Sequence, residues 1–124
     1  MAEKLYTKNG EWVGFDGSRW KVGLSVPAVA DLGDVTFVAL PQLGRTVSSG
    51  EAVCAVEAVK AAADYYCPVD GRIVEVNSRL VAEPQLLNTS PEDEGWLFAL
   101  ESVSGESLEG LMDEAAWKAW ESGS

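Results

Sequence analysis

Apolar and polar positions fall mostly into short runs broken by Gly, Pro and Asp, a strand-rich pattern. Residues 11–15 and 19–24 are rich in aromatic and β-branched side chains, and Asp16-Gly17-Ser18 between them signals a tight turn. Ser25 is placed to cap a short helix with Pro27 in its first turn, and Gly33 is placed to end it. Residues 35–40 form a β-branched and aromatic strand stopped by Pro41, and Gly44 and Ser48-Ser49-Gly50 mark further turns. A long apolar run over 52–59 is broken only by Glu57. Tyr65-Tyr66-Cys67 leads into a turn at Pro68-Val69-Asp70-Gly71, and residues 72–76 alternate, with Ile73 pointing inward. Residues 95–100 are the last predicted strand. Near the end the period changes: Leu108, Leu111, Met112, Ala115 and Ala119 share a helical face that Trp117 and Trp120 broaden. This predicts a C-terminal helix over about 107–120. Many short strands and no tandem repeat point to a small β sandwich or barrel.

The length of 124 residues suits a single domain over 1–124, large enough to bury a core without disulfides or metal. Twenty acids against nine bases give a formal charge of −11, the wrong sign for nucleic acid or an anionic membrane. Such a surface suits partners that present basic patches. No apolar run approaches the roughly 20 residues of a membrane span, and the first residues show neither a secretory nor a transit pattern. A cytoplasmic, bacterial-type protein and a monomer are expected.

Histidine is absent, so Ser-His-Asp and Cys-His arrangements and His-based metal sites cannot be built. Cys54 and Cys67, the only cysteines, have no metal-knuckle or Cys-x-x-Cys spacing. No catalytic residue and no metal ligand set is therefore predicted; a cofactor is expected to carry the chemistry.

Residues 51–77 hold the most distinctive pattern in the chain. Two apolar segments flank Glu57-Ala58-Val59-Lys60-Ala61-Ala62-Ala63-Asp64, which fits a hairpin with Lys60 at or near its tip. A lysine in a turn is by default a solvated charge. A lysine that is to be acylated, however, must be reachable by the transferring enzyme and able to present a neutral amine, and a projecting turn meets both needs.

Val56-Glu57-Ala58-Val59-Lys60-Ala61, followed by Cys67-Pro68-Val69-Asp70-Gly71-Arg72-Ile73-Val74-Glu75-Val76-Asn77, resembles the lipoyl segment of glycine cleavage system H proteins. That family typically shows Glu-Ser-Val-Lys-Ala, then Ser-Pro-Val-Ser-Gly, then Val-Glu-Val-Asn. Glu11-Trp12-Val13 is similar to its His-Glu-Trp-Val opening, and Leu32-Gly33-Asp34-Val35 with Leu40-Pro41 to its central strand. Residues 84–88 and Gly95-Trp96-Leu97 are similar to its last block. The order is kept over nearly the whole chain.

The resemblance implies a lipoyl/biotinyl-type barrel-sandwich hybrid, mostly β: two small antiparallel sheets with a short helix and a C-terminal helix. It implies lipoic acid joined by an amide to Lys60, with Glu57, Val59 and Ala61 as the attachment motif, and Glu11, Leu24 and Asp64 as a pocket for the arm. It further implies a carrier rather than an enzyme. Such a carrier takes an aminomethyl group from glycine decarboxylase to aminomethyltransferase and returns its dithiol to dihydrolipoamide dehydrogenase, after loading by a lipoate-attaching enzyme. Three departures stand out: Gly10 and Asp31 replace family histidines, and Ala58 replaces a serine. The altered pocket keeps two alternatives open, a lipoyl relay or storage carrier outside glycine catabolism and a non-lipoylated interaction domain. Finally, a tip at Lys60 and Ala61 would set Cys54 and Cys67 roughly opposite each other, as a close, reduced pair.

Overall fold

The chain reverses at residues 16–19 because Asp16 Oδ1 accepts hydrogen bonds from the backbone N–H groups of Ser18 (2.9 Å) and Arg19 (2.8 Å). Gly17 between them takes φ +98°, a left-handed value that side chains resist. Strands β2 (Glu11–Phe15) and β3 (Trp20–Leu24) consequently pair antiparallel, Phe15 opposite Trp20 and Glu11 opposite Leu24. The computed structural model describes residues 4–123.

Around this pair grows a seven-stranded antiparallel sheet. Its members are β1 (Lys4–Tyr6), β2, β3, β5 (Thr46–Val47), β8 (Gly71–Val76), β9 (Phe98–Glu101) and β10 (Met112–Asp113), in the order β10-β1-β2-β3-β9-β8-β5. A second antiparallel sheet has three strands, β4 (Val35–Ala39), β6 (Ala52–Ala58) and β7 (Ala62–Tyr66), in the order β4-β6-β7. The expected two-sheet hybrid is present, although one sheet is not small, and neither closes into a barrel. Val13, Val22, Leu24 and Ile73 from the larger sheet and Val38 and Val56 from the smaller share one buried cluster. Ile73 points inward, as its alternation predicts, and is fully buried.

Helix α1 (Val26–Leu32) has its expected cap: Ser25 Oγ accepts from the Ala28 N–H (3.4 Å). Gly33 ends it at φ +82°. Two single-turn helices, α2 (Arg79–Ala82) and α3 (Leu86–Thr89), carry no strong sequence signal, yet Leu80 and Leu87 on them are completely buried.

Two expected boundaries need correction. The hairpin predicted over 51–77 ends at Tyr66, because Pro68 and the turn before Gly71 carry the chain across to the larger sheet, where β8 pairs with β5 and β9. The helix predicted over 107–120 is divided. A turn of helix α4 (Gly105–Leu108) comes first, then β10 pairs with β1, and α5 (Glu114–Gly123) follows. Asp113 Oδ1 accepts from the Ala116 N–H (2.8 Å) and restarts the helix. Leu108 and Leu111 therefore pack on the main core. Met112, Trp117 and Trp120 join a separate aromatic cluster with Tyr6 and Trp12, in which Tyr6 and Trp117 stack with centroids 4.2 Å apart.

Candidate functional site

Strands β6 and β7 pair through Glu57 opposite Ala62, and the chain turns over Val59, Lys60 and Ala61. The Ala58 N–H donates to the Ala61 carbonyl (2.7 Å) and closes the turn. All three tip residues are exposed, Val59 by 71 %. Among the described residues Lys60 has no ion pair and no side-chain hydrogen bond. Glu57, three residues earlier, is exposed, and its side chain is likewise unpaired among them. The amine thus stands where an acylating enzyme can reach it, and nothing competes for it.

The base of the tip is tied down by hydrogen bonds. The Val59 N–H donates to the Asp34 carbonyl (3.0 Å), and Thr36 Oγ1 donates to the Glu57 carbonyl (3.2 Å). Asp34 is itself held from both sides by one side chain. Asn88 Oδ1 accepts from the Val35 N–H (2.9 Å), and Asn88 Nδ2 donates to the Gly33 carbonyl (2.8 Å). This clamp gives Asn88 a role that its sequence position alone does not reveal.

Glu11 makes a different kind of site. It is only 2 % exposed, so its carboxylate must be satisfied within the protein. Oε1 accepts from Thr7 Oγ1 (2.6 Å), and Oε2 accepts from Asn9 Nδ2 (2.8 Å) and the Tyr66 N–H (3.1 Å). The last bond crosses between sheets: β7 is an edge strand, and Glu11 satisfies an amide that its ladder leaves free. Beside these partners lies a hollow of about 100 Å³ bordered by Thr7, Asn9, Ser25 and Asp31.

Leu24, the cross-strand partner of Glu11, is fully buried in the main cluster. It offers no surface to an arm. Asp64 is exposed on β7. Burial pushes the Cys54 thiol up to about 12, and the charges of Glu11, Cys67 and Asp64 add to the effect. Burial likewise pushes the Tyr65 phenol up to about 12, reinforced by Glu11, Cys54 and Asp31. Cys54 and Tyr65 are cross-strand partners, and the charge of Glu11 raises both groups.

The cysteines are not opposite each other. A register shift between Ala52 and Cys54 sets Cys54 against Tyr65, and Cys67 bonds through its backbone N–H to the Glu51 carbonyl (2.8 Å). Both are buried free thiols. Gly10 adopts φ +103°, and a Cβ there would lie 2.7 Å from Ala28 Cβ. The local backbone is therefore built for glycine and has no room for a histidine side chain. Sequence reasoning missed Tyr65. The sequence offers only two adjacent phenols, Tyr65 and Tyr66, and it is the register against Cys54 that turns Tyr65 inward.

Comparison with known proteins identifies the family. The family model for the glycine cleavage H-protein matches residues 4–122. A glycine cleavage system H protein from Thermotoga maritima is 49 % identical over 118 residues, covering 95 % of each chain. One from Bradyrhizobium diazoefficiens is 44 % identical over 119 residues, covering 96 % of this chain and 98 % of the relative. The crystal structure of a glycine cleavage system H protein from Mycobacterium marinum matches with a TM-score of 0.85 at 34 % identity, covering 97 % of each chain. The chain belongs to the glycine cleavage H-protein family.

Proposed function

We propose that this chain is a single-domain, monomeric lipoyl carrier that works in the cytoplasm. It takes an aminomethyl group from glycine decarboxylase to aminomethyltransferase and then presents its dithiol to dihydrolipoamide dehydrogenase. The observation that carries this reading is Lys60, exposed at a three-residue tip with no pairing partner among the described residues. A lipoyl amide on Lys60 fits that position, because amide formation needs an unencumbered amine and a tip that enters another protein's active site.

When attached, lipoic acid supplies the sulfur that holds the one-carbon unit and the dithiol–disulfide couple that is reoxidised afterwards. The chain's own residues do the rest. Glu57, Val59 and Ala61 present the lysine to the lipoate-attaching enzyme, with Glu57 as the charged mark. Asp34 and the Asn88 clamp steady the base of the tip so that only the arm swings. Glu11 and Asp64 form the negative end of the arm's resting place, with Leu24 packed below. The acidic surface keeps docking transient, electrostatic and open to successive partners. None of these residues breaks or makes a bond, so the chain acts as a carrier and not as an enzyme.

The test is to incubate the lipoylated chain with glycine and glycine decarboxylase and follow intact mass. An aminomethyl-sized gain on the wild type, absent in Lys60→Ala, is expected. Lipoylation without any gain would replace the glycine-cleavage assignment with a lipoyl relay, the reading that Gly10 and Asp31 favour by removing two family histidines.

A further inference from the structure

The smaller sheet turns one face to the core and the other toward solvent. Val38, Val56 and Tyr65 point inward and are buried, so the alternate positions of the same strands point out. The register sets these outward residues in rows across the three strands. Phe37, Glu57 and Ala62 form one row, and Ala39, Ala55 and Asp64 form the next. Tyr66 completes the face further along β7, opposite Ala52. The face spans about 10 Å across the strands and about 13 Å along β7 from Ala62 to Tyr66. At one end it runs into the turn that carries Lys60.

Its side chains are unspent. Phe37 is 50 % exposed and Tyr66 41 %. Neither ring stacks on another among the described residues, and the Tyr66 hydroxyl has no partner among them. Phe15 on the larger sheet is exposed to a similar 40 %, yet it leans on Trp20 with centroids 5.1 Å apart. Charge makes the same contrast. All four arginines are engaged by glutamates elsewhere: Arg19 by Glu75, Arg45 by Glu51, Arg72 by Glu101, and Arg79 by Glu83 and Glu94. Glu57 and Asp64 have no cation beside them among the described residues. The backbone beneath is fixed: Thr36 Oγ1 donates to the Glu57 carbonyl (3.2 Å), and the Tyr66 N–H donates to Glu11 (3.1 Å). Two rigidly spaced aromatic rings beside two uncompensated carboxylates fit a protein surface that offers Arg or Lys among apolar side chains. A second copy of this chain does not fit. Symmetric contact would set these carboxylates against their own kind, between molecules of charge −11 each.

Reach decides which partner meets this face. Unmodified Lys60 extends only by its own four-carbon stem, so an enzyme that acylates it must close over the turn and meet the strands behind it. Enzymes that act on the finished arm work an eight-carbon acyl chain farther out. We propose that the outward face of the smaller sheet is the docking surface for the lipoate-attaching enzyme, with Phe37 and Tyr66 as apolar anchors and Glu57 and Asp64 as charged contacts. This inference rests on the carrier reading above and extends recognition from the attachment motif to two aromatic residues outside it. A face of this size is small against the roughly 800 Å² per partner of a stable complex, which suits an enzyme that must release its product.

The experiment measures initial rates of lipoylation of the unmodified chain by a lipoate-attaching enzyme. The wild type is compared with Phe37→Ser, Tyr66→Ser and, as a matched control, Phe15→Ser. Phe37→Ser and Tyr66→Ser should each lower kcat/KM about tenfold, the effect of losing an aromatic anchor, through KM with kcat unchanged. Phe15→Ser should behave as the wild type. Once lipoylated to completion, all three should be reduced by dihydrolipoamide dehydrogenase at the wild-type rate. Unchanged kcat/KM in both Phe37→Ser and Tyr66→Ser overturns the proposal, as does an equal loss in Phe15→Ser or a loss confined to kcat. Normal lipoylation with slow loading from glycine would give the face to glycine decarboxylase, and a wild-type dimer that Phe37→Ser dissolves would give it to a second copy. Either result overturns the proposal. A wild type that is never lipoylated, by an enzyme active on another acceptor, overturns the carrier reading and this proposal with it. Should the variants fold poorly, the ring signals of the wild type decide. With the enzyme added and lipoate withheld, Phe37 and Tyr66 should shift and Phe15 should not; unmoved Phe37 and Tyr66 signals overturn the proposal.

Discussion

The Lys60 tip and the Glu11 cradle sit at opposite extremes of exposure and bonding. At the tip three consecutive side chains face solvent, and the lysine has no partner among the described residues. In the cradle one carboxylate is almost wholly buried and takes three hydrogen bonds from three different residues. The proposed carrier would use both conditions: a free end that other proteins can engage, and a rigid, already desolvated place for its arm to return to. Order in the cradle is established on folding, so under the proposed function it would not have to be created at each return of the arm.

That contrast sets the expected sizes of mutational effects. Glu11→Ala would strand the Tyr66 N–H and two side-chain donors and leave a void. A loss of about 3 kcal/mol in urea unfolding is expected, from unsatisfied buried groups. Gly10→His restores the family residue but demands φ +103° of a bulky side chain and a clash with Ala28. It should lose about 2 kcal/mol, chiefly from backbone strain, and prolong no adduct lifetime.

A smaller effect comes from the thiols beneath the cradle. Burial raises Cys54 from 9.0 to about 12 and Cys67 from 9.0 to about 11. The folded chain keeps protons that the unfolded chain sheds above pH 9. Stability from these groups is complete below pH 9 and declines as pH rises toward 11 and 12. Between pH 8.5 and 10 each thiol is expected to contribute a fall of about 1 kcal/mol, and Cys54→Ala should roughly halve the slope. Smallest of all, Lys60→Ala and Glu57→Gln at the tip should change unfolding by less than about 0.5 kcal/mol. A tip substitution that cost as much as one in the cradle would break the comparison.

The sequence showed much of this because strand alternation and turn chemistry are local. Asp16-Gly17-Ser18, the Ser25 cap and the inward Ile73 all depend on residues within a few positions of one another. The failures are long-range or ambiguous. The apolar spacing from Leu108 to Ala119 satisfies a helical period, but the pairing of β10 with β1 and the Asp113 cap divide the segment, and neither is visible in that spacing. Tyr65 and Tyr66 are adjacent tyrosines, so alternation alone does not say which one faces inward; the register against Cys54 decides it. Lys60, Glu57 and Glu11 were legible through motif resemblance. The Asn88 clamp was not, since its partners lie 53 and 55 residues away.

The most direct test of the central claim is the intact mass of the chain expressed with lipoate and a lipoate-attaching enzyme, beside Lys60→Ala. A lipoyl-sized gain on the wild type alone, mapped to the peptide containing Lys60, is the predicted result. No gain on the wild type, with the same enzyme active on another acceptor, would contradict the account.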